Sequence, residues 1–417
     1  VRQVRRLHEK LFYRPLLNAV ARLDSGEARL TPEAAEERLR ALGYQDPRGA
    51  LRHLESLTNG VSRRAAIQRT LLPVMLGWFA DCPDPDAGLL GFRRVSDALG
   101  ATPWYLRLLR DESHTAERMA HLLASSRFAT DLLLRAPEAV QILADDDELS
   151  PRPAQDIKAE ALTAGLRQVD PEVAIAAIRA TRRRELFRIS AADSLGLLSV
   201  DDVGPALSAI ADATIQAALA VATATVLVDG IQAEDLVEFV VVGMGRYGGE
   251  ELGYGSDADV MFVYRTREGV DEAAASDAAT SVANELRRLL ALPSADPPID
   301  MDADLRPEGR NGPIVRSLAS YAAYYERWSA AWEAQALLRA RPVAGSPALQ
   351  DAFIELIDPI RYPADGVSSA DLLEMRRLKA RMEAERLPRG ADPALHLKLG
   401  RGGLSDVEWV AQLQQLQ

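Results

Sequence analysis

The chain has 417 residues, 47% of them apolar and 26% charged, with a formal net charge of −12 at pH 7. That length calls for two or three domains, and the composition excludes a disordered or collagen-like chain. The acidic balance argues against a nucleic-acid polymer as partner, which would need clustered cations to displace counterions from phosphates, and the single cysteine, Cys82, excludes an intrachain disulfide or cysteine-rich zinc site and suits a reducing cytoplasm.

No 18-residue apolar run or signal-peptide layout stands out, so a soluble, unexported protein with no membrane partner is expected. Position 1 is not Met and the chain opens within a helical pattern, so it reads as a piece of a longer polypeptide. The five histidines are scattered and are read as structural.

Residues 1–195 read as helix after helix. Leu7, Leu11, Val20 and Leu23 recur near helical spacing. Thr31, Pro32 and Glu33 form a helix start, which Gly43 closes. Ser62 starts an apolar helix through Ile67, Leu71, Met75, Trp78 and Phe79, and a break is expected at Pro83, Pro85 and Gly88. Further helices run through 106–109, 116–123 and 159–166. The run Arg182, Arg183, Arg184 reads as a solvated helix face.

Near Phe239 the pattern changes. Residues 239–242 and 260–264 are short β-branched runs that read as buried strands. A helix follows over 271–292, a third strand over 299–305, and helix again over 318–340, with Trp328 and Trp332 at i,i+4. A break around 359–368 precedes a last helical section. The expected architecture is α+β, a small mixed sheet flanked by helical bundles and predominantly helical overall. Its domains are 1–195 as a helical scaffold, 196–350 as the catalytic domain and 351–417 as the start of a further helical domain.

The chemistry lies between Val241 and Phe262. Five glycines from Gly243 to Gly253 allow close backbone approach to a ligand and can present N–H groups to phosphate. Residues 243–248 match a dinucleotide fingerprint by letter. That motif should open a helix, whereas this loop runs into a second strand, so the dinucleotide reading is set aside. Asp257 and Asp259 sit at i and i+2 where that strand begins and point to one face. Two such carboxylates repel unless a cation lies between them, and Mg²⁺ is commonly shared between carboxylates and substrate phosphates. Asp300, Asp302 and Asp304 alternate along the expected third strand and would all face one side.

These residues resemble glutamine synthetase adenylyltransferase, the bifunctional adenylyltransferase/adenylyl-removing family of the DNA-polymerase-β-like nucleotidyltransferase superfamily. The matching motifs are residues 243–252, Ser256-Asp257-Ala258-Asp259, and Asp302-Ala303-Asp304-Leu305-Arg306-Pro307. Later blocks agree at 332–341 and at 398–408, and the helical lead-in at 5–13 is similar to the family's central linker. The segments 251–257 and 333–339 resemble the C-terminal, AMP-adding copy of the family's two catalytic units. One departure is Asp304, where the family usually has Arg.

The resemblance implies transfer of AMP from ATP to a tyrosine of glutamine synthetase with release of pyrophosphate, which down-regulates nitrogen assimilation. It implies two Mg²⁺ ions held by Asp257, Asp259 and Asp302, which are also the implied catalytic residues. Nucleotide contacts would come from Gly243, Gly245, Arg246, Gly248, Gly249 and Ser256, with Arg339 and Arg341 as further phosphate or acceptor contacts. A PII-type signalling protein is a second implied partner. The alternatives are phosphorolytic deadenylylation, uridylyl transfer to a signalling protein, and a catalytically inactive regulatory module. Residues 398–408 could contact nucleotide or simply form a helix N-terminus.

Overall fold

Helix starts in the first half are set by capping chemistry. In the computed structural model, which describes residues 31–100, 102–328 and 330–417, the helix Pro32–Ala41 begins with the Thr31 hydroxyl accepting from the Ala34 N–H at 3.3 Å. Ser62 caps Arg63–Ala80 in the same way, at 3.1 Å to the Ala65 N–H. The Leu7, Leu11, Val20 and Leu23 pattern and the 5–13 lead-in lie outside the described residues, as does the Trp328 side chain. The break expected at Pro83, Pro85 and Gly88 is confined to residues 81–84, and a new helix, Pro85–Leu99, begins at the second proline. Asp84 caps it, Pro85 occupies its first turn, and Gly88 lies inside it, where a Cβ would come within 2.7 Å of both Phe79 and Ala124. The glycine there serves helix–helix contact rather than chain reversal.

The described chain divides into two compact units, with boundaries after Arg152, within the helix Pro171–Ser194 and within the helix Val200–Thr225. One unit is the chain up to Arg152 together with Arg183–Val203. Its described residues are mainly helical, with Phe79, Phe92, Tyr105, Met119 and Leu133 in the core. It also buries Glu185, whose carboxylate pairs with Arg152 and with Arg188, each at 2.9 Å.

The other unit, Pro153–Arg182 with Gly204–Gln417, carries the sheet. A small hairpin of β1 (Leu227–Val228) and β2 (Ile231–Gln232) precedes β3 (Val237–Gly243) and β4 (Ala258–Thr266). Then follow β5 (Met301–Asp302), β6 (Val315–Ser317) and β7 (Arg341–Gly345). β3 lies antiparallel between β4 and β7, while β5 and β6 both pair parallel with β4, giving the mixed sheet. Val240, Val242, Met261 and Val263 pack onto Tyr321, Tyr325, Leu349, Phe353 and Ile357 from the helices that follow.

Three expectations change here. The third strand is two residues long rather than seven, because the Asp302 carboxylate accepts from the Asp304 N–H at 2.7 Å and turns the chain. Asp300, Asp302 and Asp304 therefore do not alternate along one strand. The helix expected over 318–340 is two helices, Leu318–Trp328 and Ala331–Leu337, and β7 follows directly. Arg182 is not solvated: its guanidinium donates to the carbonyls of Pro297 and Pro298, and burial pulls its pKa down to about 10. Arg179 donates to the carbonyls of Leu290 and Leu292 at 2.7 and 2.8 Å, closing the C-terminus of the helix Glu272–Leu290. Together these two arginines brace the segment that leads into β5.

The helix Val200–Thr225 is long and apolar enough to cross a membrane by length and composition, which the sequence reading overlooked; in its most apolar window it is 72% buried within the protein. It reads instead as a core helix.

Candidate active site

β3 ends at Gly243, and the chain then makes one helical turn, Gly245–Gly248, before returning to β4. The Met244 N–H donates to the Asp259 carbonyl at 2.8 Å, and the Gly249 N–H to the Gly245 carbonyl at 3.1 Å. Gly245 has φ +54°, and a Cβ there would stand 2.4 Å from the Asp259 carboxylate. At Gly248 the fit is tighter still, with a Cβ placed 1.8 Å from the Arg339 carbonyl. The Ser256 hydroxyl accepts from the Gly253 N–H at 3.0 Å and braces the return to β4.

Asp257 precedes β4 and is exposed; Asp259 lies within β4 and is half-buried. Across the parallel β4–β5 pair, Asp259 stands opposite Asp302. Burial first, then the charges of Asp302 and Asp257, push the Asp259 carboxyl up to about 6, while Lys398 pulls it back. The three acids are thus electrostatic neighbours. Asp304 is paired with Arg310 at 2.6 Å and Arg306 at 3.8 Å. Asp300 is exposed, and its carbonyl accepts the Ala258 N–H at 2.8 Å. A cavity of about 510 Å³ opens beside β5, lined in part by Asp257, Asp302, Asp304, Arg287 and Arg310.

The donor set is carboxylate oxygen alone, which suits a hard cation such as Mg²⁺. Among the described residues no three His, Cys, Asp or Glu side chains form a ready-made cage. Like charges splay apart when no cation draws them together, so neighbouring carboxylates with one pushed toward neutrality are what a metal-free cluster of this kind should look like.

The arginines divide by environment. Arg341 is committed to the scaffold: it pairs with Asp212 at 2.6 Å, donates to the carbonyls of Gly248 and Tyr247, and lies over the Tyr247 ring. Arg246 and Arg339 both approach Glu408, at 3.8 and 3.7 Å, and Arg339 also pairs with Glu251 at 3.3 Å. Sequence reasoning passed over Asp212, Tyr247 and Lys398. Asp212 carried a signal, since it is the one charge beyond the first turn of an otherwise apolar helix; Tyr247 and Lys398 sat inside motifs already noticed.

The sequence model of the family described as glutamate-ammonia ligase adenylyltransferase matches residues 116–356, more than half of the chain and all of β1 to β7. The chain belongs to the glutamate-ammonia ligase adenylyltransferase family. It is 60% identical to a bifunctional glutamine synthetase adenylyltransferase/adenylyl-removing enzyme of Streptomyces avermitilis, over 99% of this chain and 43% of that protein. Relatives with the same description in Streptomyces coelicolor and Mycobacterium tuberculosis are 59% and 51% identical, over 99% and 100% of this chain and 42% of each relative. The chain therefore spans about two-fifths of the length of the family members it matches.

Proposed function

We propose that this chain is a catalytic half that transfers AMP from ATP to a tyrosine of glutamine synthetase. The observation that carries the reading is the register of Asp259 against Asp302, with Asp257 beside them and the glycine turn pressed onto the Asp259 carboxylate. The names of the relatives supply the reaction class and the acceptor.

Asp257, Asp259 and Asp302 would hold Mg²⁺, which supplies positive charge to the triphosphate and to the developing charge of the transfer. The glycine turn can present backbone N–H groups to phosphates, and Arg246 and Arg339 can exchange Glu408 for phosphate oxygens. Arg341 holds the turn in place through Asp212 and Tyr247. A bond forms between the tyrosine hydroxyl oxygen and the α-phosphorus while the bond from that phosphorus to pyrophosphate breaks, its electron pair leaving with pyrophosphate. A free phenol is only about 0.1% ionised at neutral pH, so its proton must pass to a base, and the carboxylates of the cluster are the bases at hand. Nitrogen-dependent regulation, a PII-type partner and a cytoplasmic setting follow from the same reading.

The test is incubation of the full chain with α-labelled ATP, Mg²⁺ and glutamine synthetase. Label on a tyrosine without added phosphate supports the reading. Phosphate-dependent release of ADP from pre-modified protein, with no forward transfer, would assign the removing reaction named in the relatives instead.

A further inference from the structure

A second cavity, of about 390 Å³, adjoins the one beside β5, and Arg287, Asp300 and Met301 line both. Its helical wall follows from sequence spacing: Asn284, Arg287, Arg288 and Ala291 recur at i, i+3, i+4 and i+7 along the helix Glu272–Leu290 and its cap. Val282, Leu286 and Leu289 bury the rest of that helix in the core. Ile299 and Met301, on the segment leading into β5, supply the apolar lining. Arg179 and Arg182 hold this segment by its carbonyls at Leu290, Leu292, Pro297 and Pro298. The two cavities thus make one groove that starts at Asp257 and Asp302 and leads away along the helix.

The groove lies apart from the glycine turn. Residues 243–249 line neither cavity, and the turn packs toward β7, whereas the groove opens at β5, beyond β4. In-line transfer puts the attacking oxygen and the leaving pyrophosphate on opposite sides of the phosphorus. With the triphosphate at the turn, the acceptor hydroxyl therefore comes to the carboxylates from the groove. The groove's arginines differ in what they are bonded to. Arg306 donates to the carbonyls of Ala303 and Gly312, Arg310 pairs with Asp304 at 2.6 Å, and Arg288 pairs with Glu285 at 2.8 Å. Among the described residues Arg287 makes no hydrogen bond or ion pair, and it stands where the two cavities meet. A planar guanidinium so placed can grip a carboxylate with two nitrogens without giving up a partner.

We propose that this groove seats the polypeptide segment around the acceptor tyrosine, with Arg287 pairing to a carboxylate of that segment and Ile299 and Met301 receiving an apolar side chain. The proposal rests on the adenylyl-transfer reading above. It makes Arg287 a residue of acceptor selection, with no part in holding the nucleotide.

The competing role for Arg287 is a polyphosphate contact, and the two separate in measurement. Arg287→Ala, Arg287→Glu and Ala291→Trp would be made in the full chain, with Asp302→Asn beside them. Turnover with ATP, Mg²⁺ and glutamine synthetase gives kcat and both KM values, and calorimetry follows binding of Mg²⁺ and α,β-methylene-ATP. Arg287→Ala is expected to raise KM for glutamine synthetase about tenfold, the scale of one charge-assisted hydrogen bond. Arg287→Glu should raise it further, since like charges then face each other. Ala291→Trp, which puts a large side chain into the second cavity, should raise the same KM. In all three, kcat, KM for ATP and analogue binding should stay within about twofold of the parent, the pattern of a lost ground-state contact to the acceptor. Both positions are exposed, and unchanged analogue binding also reports an intact fold. Salt should raise KM for glutamine synthetase more steeply in the parent than in Arg287→Ala; equal slopes would overturn the carboxylate pairing. A raised KM for ATP or weakened analogue binding in the Arg287 variants would overturn the proposal and assign the polyphosphate contact. A parental KM for glutamine synthetase in Arg287→Glu, or a fall in kcat alone, would overturn it too. If Asp302→Asn keeps parental turnover, the adenylyl-transfer reading fails and the proposal with it. If Asp302→Asn is inactive while Arg287→Glu behaves as the parent, only the proposal fails.

Discussion

Arg341 grips the Asp212 carboxylate with two nitrogens, at 2.6 and 3.2 Å, and the Tyr247 hydroxyl donates to the same carboxylate at 2.7 Å. One acid on the Val200–Thr225 helix thereby ties the glycine turn to β7. Removing it leaves a largely desolvated guanidinium without its counter-charge. Asp212→Ala is therefore expected to lower stability by about 3 kcal/mol, read as a lower midpoint in urea unfolding. Arg341→Lys should fall between the two, since a lysine cannot reproduce the two-nitrogen grip. If Arg341 served chiefly as a nucleotide contact, Arg341→Lys would leave the midpoint in place and change only KM for ATP.

Asp302 and Asp304 should separate cleanly in turnover. Asp302 stands opposite Asp259, whereas Asp304 is spent on Arg310 and Arg306. Asp302→Asn is expected to slow transfer by at least about 100-fold, the scale of a lost general-base contribution. Asp304→Asn should stay within about threefold, because it leaves the acids at β4 and β5 intact. Steady-state kinetics at saturating Mg²⁺ decide it, and the reverse pattern would move the third carboxylate to Asp304.

Gly248 leaves no room for a side chain. Gly248→Ala would drive its methyl group into the Arg339 carbonyl, displacing the turn. An overpacking cost of about 1–3 kcal/mol is expected, together with a raised KM for ATP. Gly255→Ala is the control, since nothing stands within 4 Å of a Cβ there; thermal melting of the pair should show a shift only in the first.

Asp259 makes the metal-free protein sensitive to pH in a definite direction. Its carboxyl titrates at about 6 in the fold against an ordinary value of 3.8, so between these values the native state holds the proton that the unfolded chain has lost. Stability contributed by that proton is present below the ordinary value and is lost as pH rises through about 6. Asp259→Asn should flatten this part of the melting profile and, at pH 7.5, raise the metal-free protein by about 1 kcal/mol or less, the group being partly screened by solvent. Mg²⁺ should stabilise the parent and not the variant, as seen in melting with and without EDTA.

The central pair of strands was legible because β-branched runs at 239–242 and 260–264 have few other uses, and Asp257 and Asp259 were legible because two acids at the mouth of such a strand need a reason. β5 was read at seven residues instead of two, and β6 and β7 were not legible. Two or three residues carry too little periodicity to mark a strand, and 341–345 begins with Arg and Pro. Asp302 was found through its motif, while the turn that follows it depends on a side chain bonding the backbone two residues on, which alternation of acids conceals. Arg182 looked solvated because its partners are main-chain carbonyls more than 100 positions away, and a run of three arginines says nothing of carbonyls.

The brevity of β5 has a consequence for how the site works over time. Two residues of pairing hold Asp302 against β4, whereas Asp259 belongs to a nine-residue strand at the heart of the sheet. The segment bearing Asp302 can open at a small fraction of the free energy needed to unfold the sheet, with Arg182 as its tether at Pro297 and Pro298. The acids of the cluster thus differ in permanence: one is fixed when the chain folds, and another must be recruited again at each opening. Hydrogen exchange would register this as fast turnover of the Ala258 amide, which donates across to Asp300, beside slow turnover of the amides of Met261 and Val263 in the same strand.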